Sequence, residues 1–308
     1  MNKPRSGGEI TDSVDYLEHL TDGDLRLLAG IVAGEGGAED LLRRLRADPQ
    51  AVGRALSDGL LWDRLFGRAA RRDPLAAASP FLVFAVIVHR ARLELARSNY
   101  VEEAFGPRRR LPVFDVGSLT GFLEDDERRL FLIELLASFT HVASGSVLVR
   151  SRKGWRRHRF SELDPVRLAS LLDVLPEAER PGLYRRLGDL SLFLTGVFPD
   201  RSFSTPPASV GRQRLLRTLG GVEENGGLSP SELADLERDP SDAVMLLEFL
   251  GRRWYRLALA AATPPLTSKL RLAQLVADRF TDARRVLNFI TDRYLFPHRV
   301  RWFPDSPN

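Results

Sequence analysis

The pattern of apolar and polar positions along the chain predicts a series of α-helices. From Pro181 to Val197, four leucines and a valine recur every three or four residues, the spacing of one helix face. Small residues at Gly188, Ser191 and Thr195 have the same spacing on another side and would let a second helix approach closely. Because both faces can be packed, we predict a central helix here.

Asp189 interrupts this otherwise apolar helix. A buried carboxylate without a partner is too costly to be retained, so the pattern favours a paired structural acid over a catalytic one. We expect its partner to be a cation, either Arg185 at i−4, Arg186 at i−3 or an arginine of another helix.

Residues typical of helix starts occur along the rest of the chain. Thr21 opens a Thr-x-x-Asp variant of the capping box, and Asp48-Pro49 places a cap before a proline at N1. The strongest start is Ser229-Pro230-Ser231-Glu232, which combines an N-cap serine, an N1 proline and an N3 glutamate. Long helices are expected from Pro80 to about Phe105 and from Ser268 to about Leu295.

Residues 146–160 break the helical rhythm. Val147 and Val149 alternate with their neighbours, and Lys153-Gly154 can supply a turn, so this segment predicts a β-hairpin. The predicted fold is therefore all-α, a multi-helix bundle of roughly ten helices with one small β-hairpin near 146–160. We expect a flexible leader at 1–9, an N-terminal helical subdomain at 10–74 and a main helical bundle at 75–308. The subdomain and the bundle are expected to pack together, and the sequence leaves open whether they form one domain.

Composition narrows the class of protein. The 308 residues are 44% hydrophobic, enough for a substantial core, and the absence of cysteine excludes disulfides, thiolate metal sites and cysteine nucleophiles. The most apolar run, Pro80 to Val88, is far shorter than the roughly 20 residues of a membrane-spanning helix. No secretory signal is recognisable. We therefore predict a cytoplasmic protein without a membrane span.

The positive charge is concentrated in the predicted hairpin. The chain has a net charge of +4, whereas the hairpin alone has six cations and no acid, so the remainder is slightly acidic. The candidate anion-binding residues are these cations and a tryptophan: Arg150, Arg152, Lys153, Trp155, Arg156, Arg157 and Arg159. Arginines bind phosphates bidentately, and tryptophan can stack on a base.

This charge cluster has two interpretations. In one, the hairpin arginines are neutralised by acidic residues such as those from Glu124 to Glu127. In the other, they engage an anionic macromolecule, either nucleic acid or an acidic protein surface. The sequence leaves both open. Arginine richness alone is weak support, because only three of the 45 basic residues are lysines and base composition can produce that bias.

Motifs for catalysis or metal binding are missing. The chain contains no His-x-x-x-His, Gly-x-Ser-x-Gly or phosphate-binding glycine loop, and we expect neither a metal nor a cofactor. The titratable residues that could line a pocket between helices are His89, Glu134, His141 and Asp189.

Three function classes follow. The leading hypothesis is a non-catalytic binding or regulatory protein that uses the basic hairpin. The second is a helical scaffold that assembles through helix faces or through the aromatic tail with Phe296, Trp302 and Phe303. The third is an enzyme or small-ligand binder with an interhelical pocket. The sequence does not specify an oligomeric state.

Three runs in the C-terminal half carry a family resemblance. LYRRLGDLSLFLTGVFPD, LLEFLGRRWYRLALA and FTDARRVLNFITDRYL resemble uncharacterised all-helical bacterial proteins. The resemblance implies a helical fold and carries no activity.

Overall fold

Fourteen α-helices and two β-hairpins form the described part of the chain. The computed structural model describes residues 16–34, 36–67, 72–106, 109–151, 154–200, 209–219, 243–262 and 267–297. The predicted leader and the predicted helix start at Ser229 lie outside these residues. The chain divides into two compact units, residues 1–89 and residues 90–308.

The first unit contains five short helices and most of a sixth. They follow a 3₁₀ helix at Tyr16–Glu18 and are α1 (Asp22–Ala33), α2 (Ala38–Ala47), α3 (Pro49–Leu56), α4 (Gly59–Phe66), α5 (Arg72–Ala77) and α6 (Pro80–Leu95). Each of α1 to α4 buries one apolar stripe, and Leu28, Leu45 and Leu61 are completely buried.

The predicted capping box at Thr21 is confirmed. The Thr21 hydroxyl accepts the N–H of Asp24 at 3.0 Å, and the Asp24 carboxylate accepts the N–H of Thr21 at 2.9 Å. The second carboxylate oxygen of Asp24 accepts the N–H of Ser79 at 2.8 Å. One buried acid therefore caps α1 and fixes the entry to α6.

The second unit contains the remaining helices and both hairpins. In chain order these are β1 (Val101–Gly106), β2 (Arg109–Val113), α7 (Val116–Leu123), α8 (Asp126–Ser138), β3 (Ser144–Ser151), β4 (Gly154–Ser161), α9 (Pro165–Ala169), α10 (Arg180–Val197), α11 (Ser209–Arg217), α12 (Ala243–Ala260), α13 (Ser268–Ala277) and α14 (Phe280–Ile290). Short 3₁₀ helices at Ser170–Asp173 and Glu177–Glu179 precede α10, and a π-helical turn at Thr291–Leu295 follows α14.

The predicted central helix is confirmed as α10, which packs against α12 and α14. Gly188 lies against the ring of Tyr255, where an added Cβ would be 2.5 Å from Cε1. Ser191 and Gly251 form a second close approach, and Gly196 lies against Leu287. The small residues of α10 therefore set the distance to both neighbouring helices.

The predicted hairpin is confirmed, and a second one occurs that the sequence analysis missed. Strands β3 and β4 pair antiparallel from Ser144–Ser161 to Ser151–Gly154, and β1 pairs with β2. Strand β1 occupies residues that we expected to continue α6. That helix ends at Leu95, where the Ser98 hydroxyl bonds to the carbonyl of Glu94 at 2.9 Å and closes the last turn.

A second helix boundary also differs from the expectation. The predicted helix from Ser268 to Leu295 is divided into α13 and α14 at Asp278 and Arg279. Arg279 pairs with Asp282, three residues later, and its guanidinium donates to the carbonyl of Ser118 at 3.2 Å. The apolar periodicity continues across this break because both helices bury their leucine and valine faces.

Candidate functional site

The basic hairpin is built on an uninterrupted antiparallel ladder. Its register places Arg150 opposite Trp155, Val149 opposite Arg156 and Leu148 opposite Arg157. The alternating apolar and polar positions and the glycine at the start of β4 favour this ladder over a helix. The candidate residues of both strands are therefore held on a short two-stranded ribbon.

The structure describes two of the seven candidate side chains in this hairpin. Arg157 and Arg159 are exposed, and their side chains share one face of β4 because residues two apart in a strand point the same way. Arg150, Trp155 and Arg156 have described backbones, but their side chains lie outside the described part. Arg152 and Lys153 lie outside it entirely.

Three of the four acidic residues from 124 to 127 that could neutralise the hairpin have other partners, and no ion pair of Glu127 occurs among the described residues. Glu124 lies 3.6 Å from Arg92, Asp125 lies 3.7 Å from Arg128, and Asp126 pairs with Arg129.

The two acids that follow the hairpin are also paired. The carboxylate of Glu162 accepts from Arg186 at 3.1 Å, and that of Asp164 lies 3.2 Å from Arg167. Within the described residues, Arg157 and Arg159 belong to no ion pair.

The sequence candidates inside the helical unit form a different cluster. Arg185 joins two of them, because its guanidinium lies 3.6 Å from the carboxylate of Asp189 and 3.8 Å from that of Glu134. Tyr255, from α12, donates its hydroxyl to Asp189 at 2.9 Å. Arg185 was among the expected partners of Asp189. Tyr255 was not, since nothing in the sequence relates two residues so far apart in the chain.

Burial raises the pKa of two members of this cluster, Asp189 and Tyr255. Burial raises the pKa of Asp189, and the nearby Arg185 and the Tyr255 hydroxyl offset only part of that effect. Burial, followed by the charge of Asp189, raises the pKa of Tyr255 well above its usual value. A hydroxyl that donates to a paired carboxylate in this way holds α10 against α12.

The two candidate histidines do not join this cluster. His89 is buried in the first unit, where Nδ1 lies 2.9 Å from the Ser57 hydroxyl and Nε2 lies 3.3 Å from the Tyr16 hydroxyl. His141 is exposed after α8, with Nδ1 3.1 Å from the hydroxyl of Thr140. Across the described ranges, no group of three or more His, Asp or Glu side chains could hold a metal ion.

The sequence analysis missed a second ionic cluster, between α12 and α14. The carboxylate of Glu248 accepts from Arg284 at 2.7 Å, from the Thr281 hydroxyl at 2.5 Å and from Arg252 at 2.5 Å. The i,i+4 spacing of Glu248 and Arg252 is a signal that the sequence contains. The contacts across to α14 have no such signal, because they depend on how the two helices pack.

The aromatic tail is described only at its beginning. Phe296 is 39% exposed, and Trp302 and Phe303 lie outside the described residues.

Two further findings concern the chain as a whole. In the part of the chain that the structure describes, no helix has the length and hydropathy needed to cross a membrane. Comparison of the chain with protein-family models, with curated proteins and with solved structures found no match.

Proposed function

We propose that this chain is a non-catalytic binding protein whose basic hairpin engages nucleic acid through backbone phosphates. The observation that carries the proposal is the pair of exposed arginines on β4, Arg157 and Arg159, which have no carboxylate partner among the described residues. Four further cations of the same hairpin lie within the ten residues from 150 to 159.

The spacing of the hairpin arginines suits a row of backbone phosphates better than a single small anion. A β-strand rises about 3.3 Å per residue, so Arg157 and Arg159 are held about 7 Å apart along one face. A linear array of guanidinium groups matches a linear array of phosphates, since each guanidinium can bind one phosphate through two N–H donors. The cytoplasmic location that the sequence predicts would give such a surface access to nucleic acid.

The proposal is tested by fluorescence anisotropy with labelled single-stranded and duplex DNA of about 20 nucleotides, a length that exceeds the site size of common binding modules. We expect binding that weakens steeply between about 50 mM and about 200 mM salt, because each neutralised phosphate releases a counterion. Arg157→Ala/Arg159→Ala should bind more weakly and with a salt slope reduced by about 2.

A matched control removes the same charge elsewhere. Arg97→Ala/Arg271→Ala changes two exposed arginines of the second unit that also have no described carboxylate partner, and it should bind like the wild type. Equal weakening in both variants would indicate a nonspecific charge effect and contradict the hairpin site. Binding to polyglutamate in preference to both DNA probes would assign the hairpin to an acidic protein instead.

A further inference from the structure

Helix α11 has an exposed face that is basic and free of acids. Residues 209–219 contain three arginines and no aspartate or glutamate. Val210, Gln213, Arg214 and Arg217 are exposed and recur every three or four residues, whereas Leu215 and Leu219 are buried on the opposite side. One helix face therefore presents two guanidinium groups to solvent over two turns.

Most arginines of the second unit whose side chains the structure describes have a carboxylate partner. Among its described side chains, seven exposed arginines form no ion pair, and four of these lie on β4 and α11. The seven are Arg97, Arg109, Arg157, Arg159, Arg214, Arg217 and Arg271. Helices α10 and α12 also contain three arginines each, but all three of α10 form ion pairs, and in α12 Arg252 pairs with Glu248 and Arg256 with Asp278. Four of the seven unpaired arginines thus lie on β4 and α11, while α13 has two unpaired exposed cations, Lys269 and Arg271.

The fold brings these two elements close together. The short helix α9 follows β4 in the chain and packs against both β4 and α11. Packed elements lie about 10 Å apart, so β4 and α11 are separated by at most about 20 Å, roughly the rise of six base pairs. The one arginine on α9, Arg167, pairs with Asp164 and therefore adds no free charge between them.

Helix α11 is also fixed to the helical core. The indole N–H of Trp254, on α12, donates to the hydroxyl of Thr218 at 2.9 Å, just after the end of α11. Trp254 and Leu215 are both completely buried. A charged face on an anchored helix keeps its orientation, so binding to it does not require the backbone of α11 to become ordered.

We infer that α11 is a second phosphate-contacting element of the same nucleic-acid surface, which binds the backbone through Arg214 and Arg217 while β4 binds it through Arg157 and Arg159. This inference rests on the proposed function of the hairpin. It adds a second contacting element. It also requires that the nucleic acid be long enough for one molecule to reach both β4 and α11.

The test compares four proteins on the same labelled duplex of about 20 base pairs, at several salt concentrations. These are the wild type, Arg157→Ala/Arg159→Ala, Arg214→Ala/Arg217→Ala and the variant with all four changes. We expect each pair of changes to weaken binding about tenfold and to reduce the salt slope by about 2, and the four changes together to reduce it by about 4. Arg97→Ala/Arg271→Ala is the control, and circular dichroism of each variant verifies that it is folded.

The outcomes separate the two proposals. If the hairpin variant binds weakly while Arg214→Ala/Arg217→Ala binds like the wild type, the second element is wrong and the hairpin site stands. If the α11 variant alone binds weakly, the hairpin proposal and the shared surface are both wrong. If the wild type binds neither duplex nor single strand even at low salt, both proposals fail.

Discussion

Asp189 and Glu248 are two largely buried carboxylates of the second unit whose surroundings shift their pKa in opposite directions. Burial raises the pKa of Asp189, with Arg185 and Tyr255 offsetting only part of the effect. Burial of Glu248 acts in the same direction, but Arg284, Thr281 and Arg252 together outweigh it. The pKa of Glu248 is therefore lowered overall. The number and proximity of the donors therefore decide the sign of the shift.

The opposite shifts predict opposite effects of pH on stability. A carboxyl whose pKa is raised by folding stabilises the protein below its unfolded pKa, and this stabilisation is lost as pH rises through the folded value. The free energy of unfolding of Asp189→Asn, relative to that of the wild type, should therefore be higher at about pH 8 than at about pH 4.5. Urea unfolding at both pH values measures the difference in the free energy of unfolding.

Glu248→Gln is the matched comparison and should behave in the opposite way. Its lowered pKa gives stability that is present above the unfolded pKa and lost on acidification, so the substitution should cost more at about pH 8 than at low pH. The same trend with pH in both variants would contradict the different surroundings described for the two acids.

Gly188, on α10, lies directly against the ring of Tyr255 on α12. An added Cβ would lie 2.5 Å from Cε1 and 2.6 Å from Cδ1 of Tyr255, a side chain that is completely buried and bonded to Asp189. We therefore expect Gly188→Ala to lower the free energy of unfolding by roughly 1–3 kcal/mol, the usual cost of overpacking.

Gly182 provides the control in the same helix. An added Cβ there meets no heavy atom within 4 Å, and the residue is exposed. Gly182→Ala should leave stability unchanged or raise it by up to about 1 kcal/mol, because alanine favours the helix more than glycine does. Equal losses in both variants, measured by thermal or urea unfolding, would show that Gly188 is not a packing constraint.

At the scale of helices and strands, the sequence predicted elements well where local pattern decides them. The alternation in β3 and β4 and the small residues of α10 are local, and both predictions are confirmed. The β1–β2 ribbon was missed because residues 89–105 also suit an amphipathic helix. Strand pairing with residues 109–113 decides between the two structures, and the sequence does not show that pairing.

Some features of the candidate site can likewise be predicted from the sequence, and others cannot. The charge of the hairpin is visible in the sequence, and so is the i−4 relation of Arg185 to Asp189. The contribution of Tyr255 is not visible, since it comes from another helix. Free and paired arginines can also be indistinguishable in the sequence, because Arg214 and Arg284 differ only in that packing brings the carboxylate of Glu248 near Arg284.

The anchoring of α11 to α12 predicts energetic coupling between Trp254 and Thr218. Trp254→Phe removes the donor of their hydrogen bond, and Thr218→Val removes the acceptor at nearly constant volume. Thr218→Val should cost roughly 1–3 kcal/mol, because the buried indole N–H is left without an acceptor. Trp254→Phe should cost a similar amount through the lost hydrogen bond and the smaller ring, although the Thr218 hydroxyl keeps its bond to the carbonyl of Leu215. The double variant should cost about 1 kcal/mol less than the sum of the single changes, as measured by urea unfolding.

Hydrogen exchange shows which helices lose stability when the bond between Trp254 and Thr218 is removed. The amides of α11 should exchange faster in both single variants, whereas those of α1 to α4 should keep their wild-type rates. Costs that add exactly in the double variant would contradict the bond between Trp254 and Thr218.

At the scale of the whole molecule, the excess positive charge is concentrated at a few sites, and the net charge is small. The net charge is only +4, and most described arginines of the second unit are tied to carboxylates. Long-range attraction of a polyanion therefore depends on the few unpaired arginines and on the rest of the hairpin, rather than on the sum over the chain. The proposed surface should for this reason be sensitive to two-residue changes.

The division of the chain into two compact units predicts that a core substitution destabilises its own unit first. Leu28, in α1, and Leu187, in α10, are both completely buried, and truncation of such a leucine costs about 2–5 kcal/mol. Leu28→Ala should increase hydrogen exchange in peptides from residues 22–66 while α10 and α12 keep their protection. Leu187→Ala should do the reverse. Loss of protection in both units, to the same extent in either variant, would instead mean that the chain unfolds as one cooperative unit.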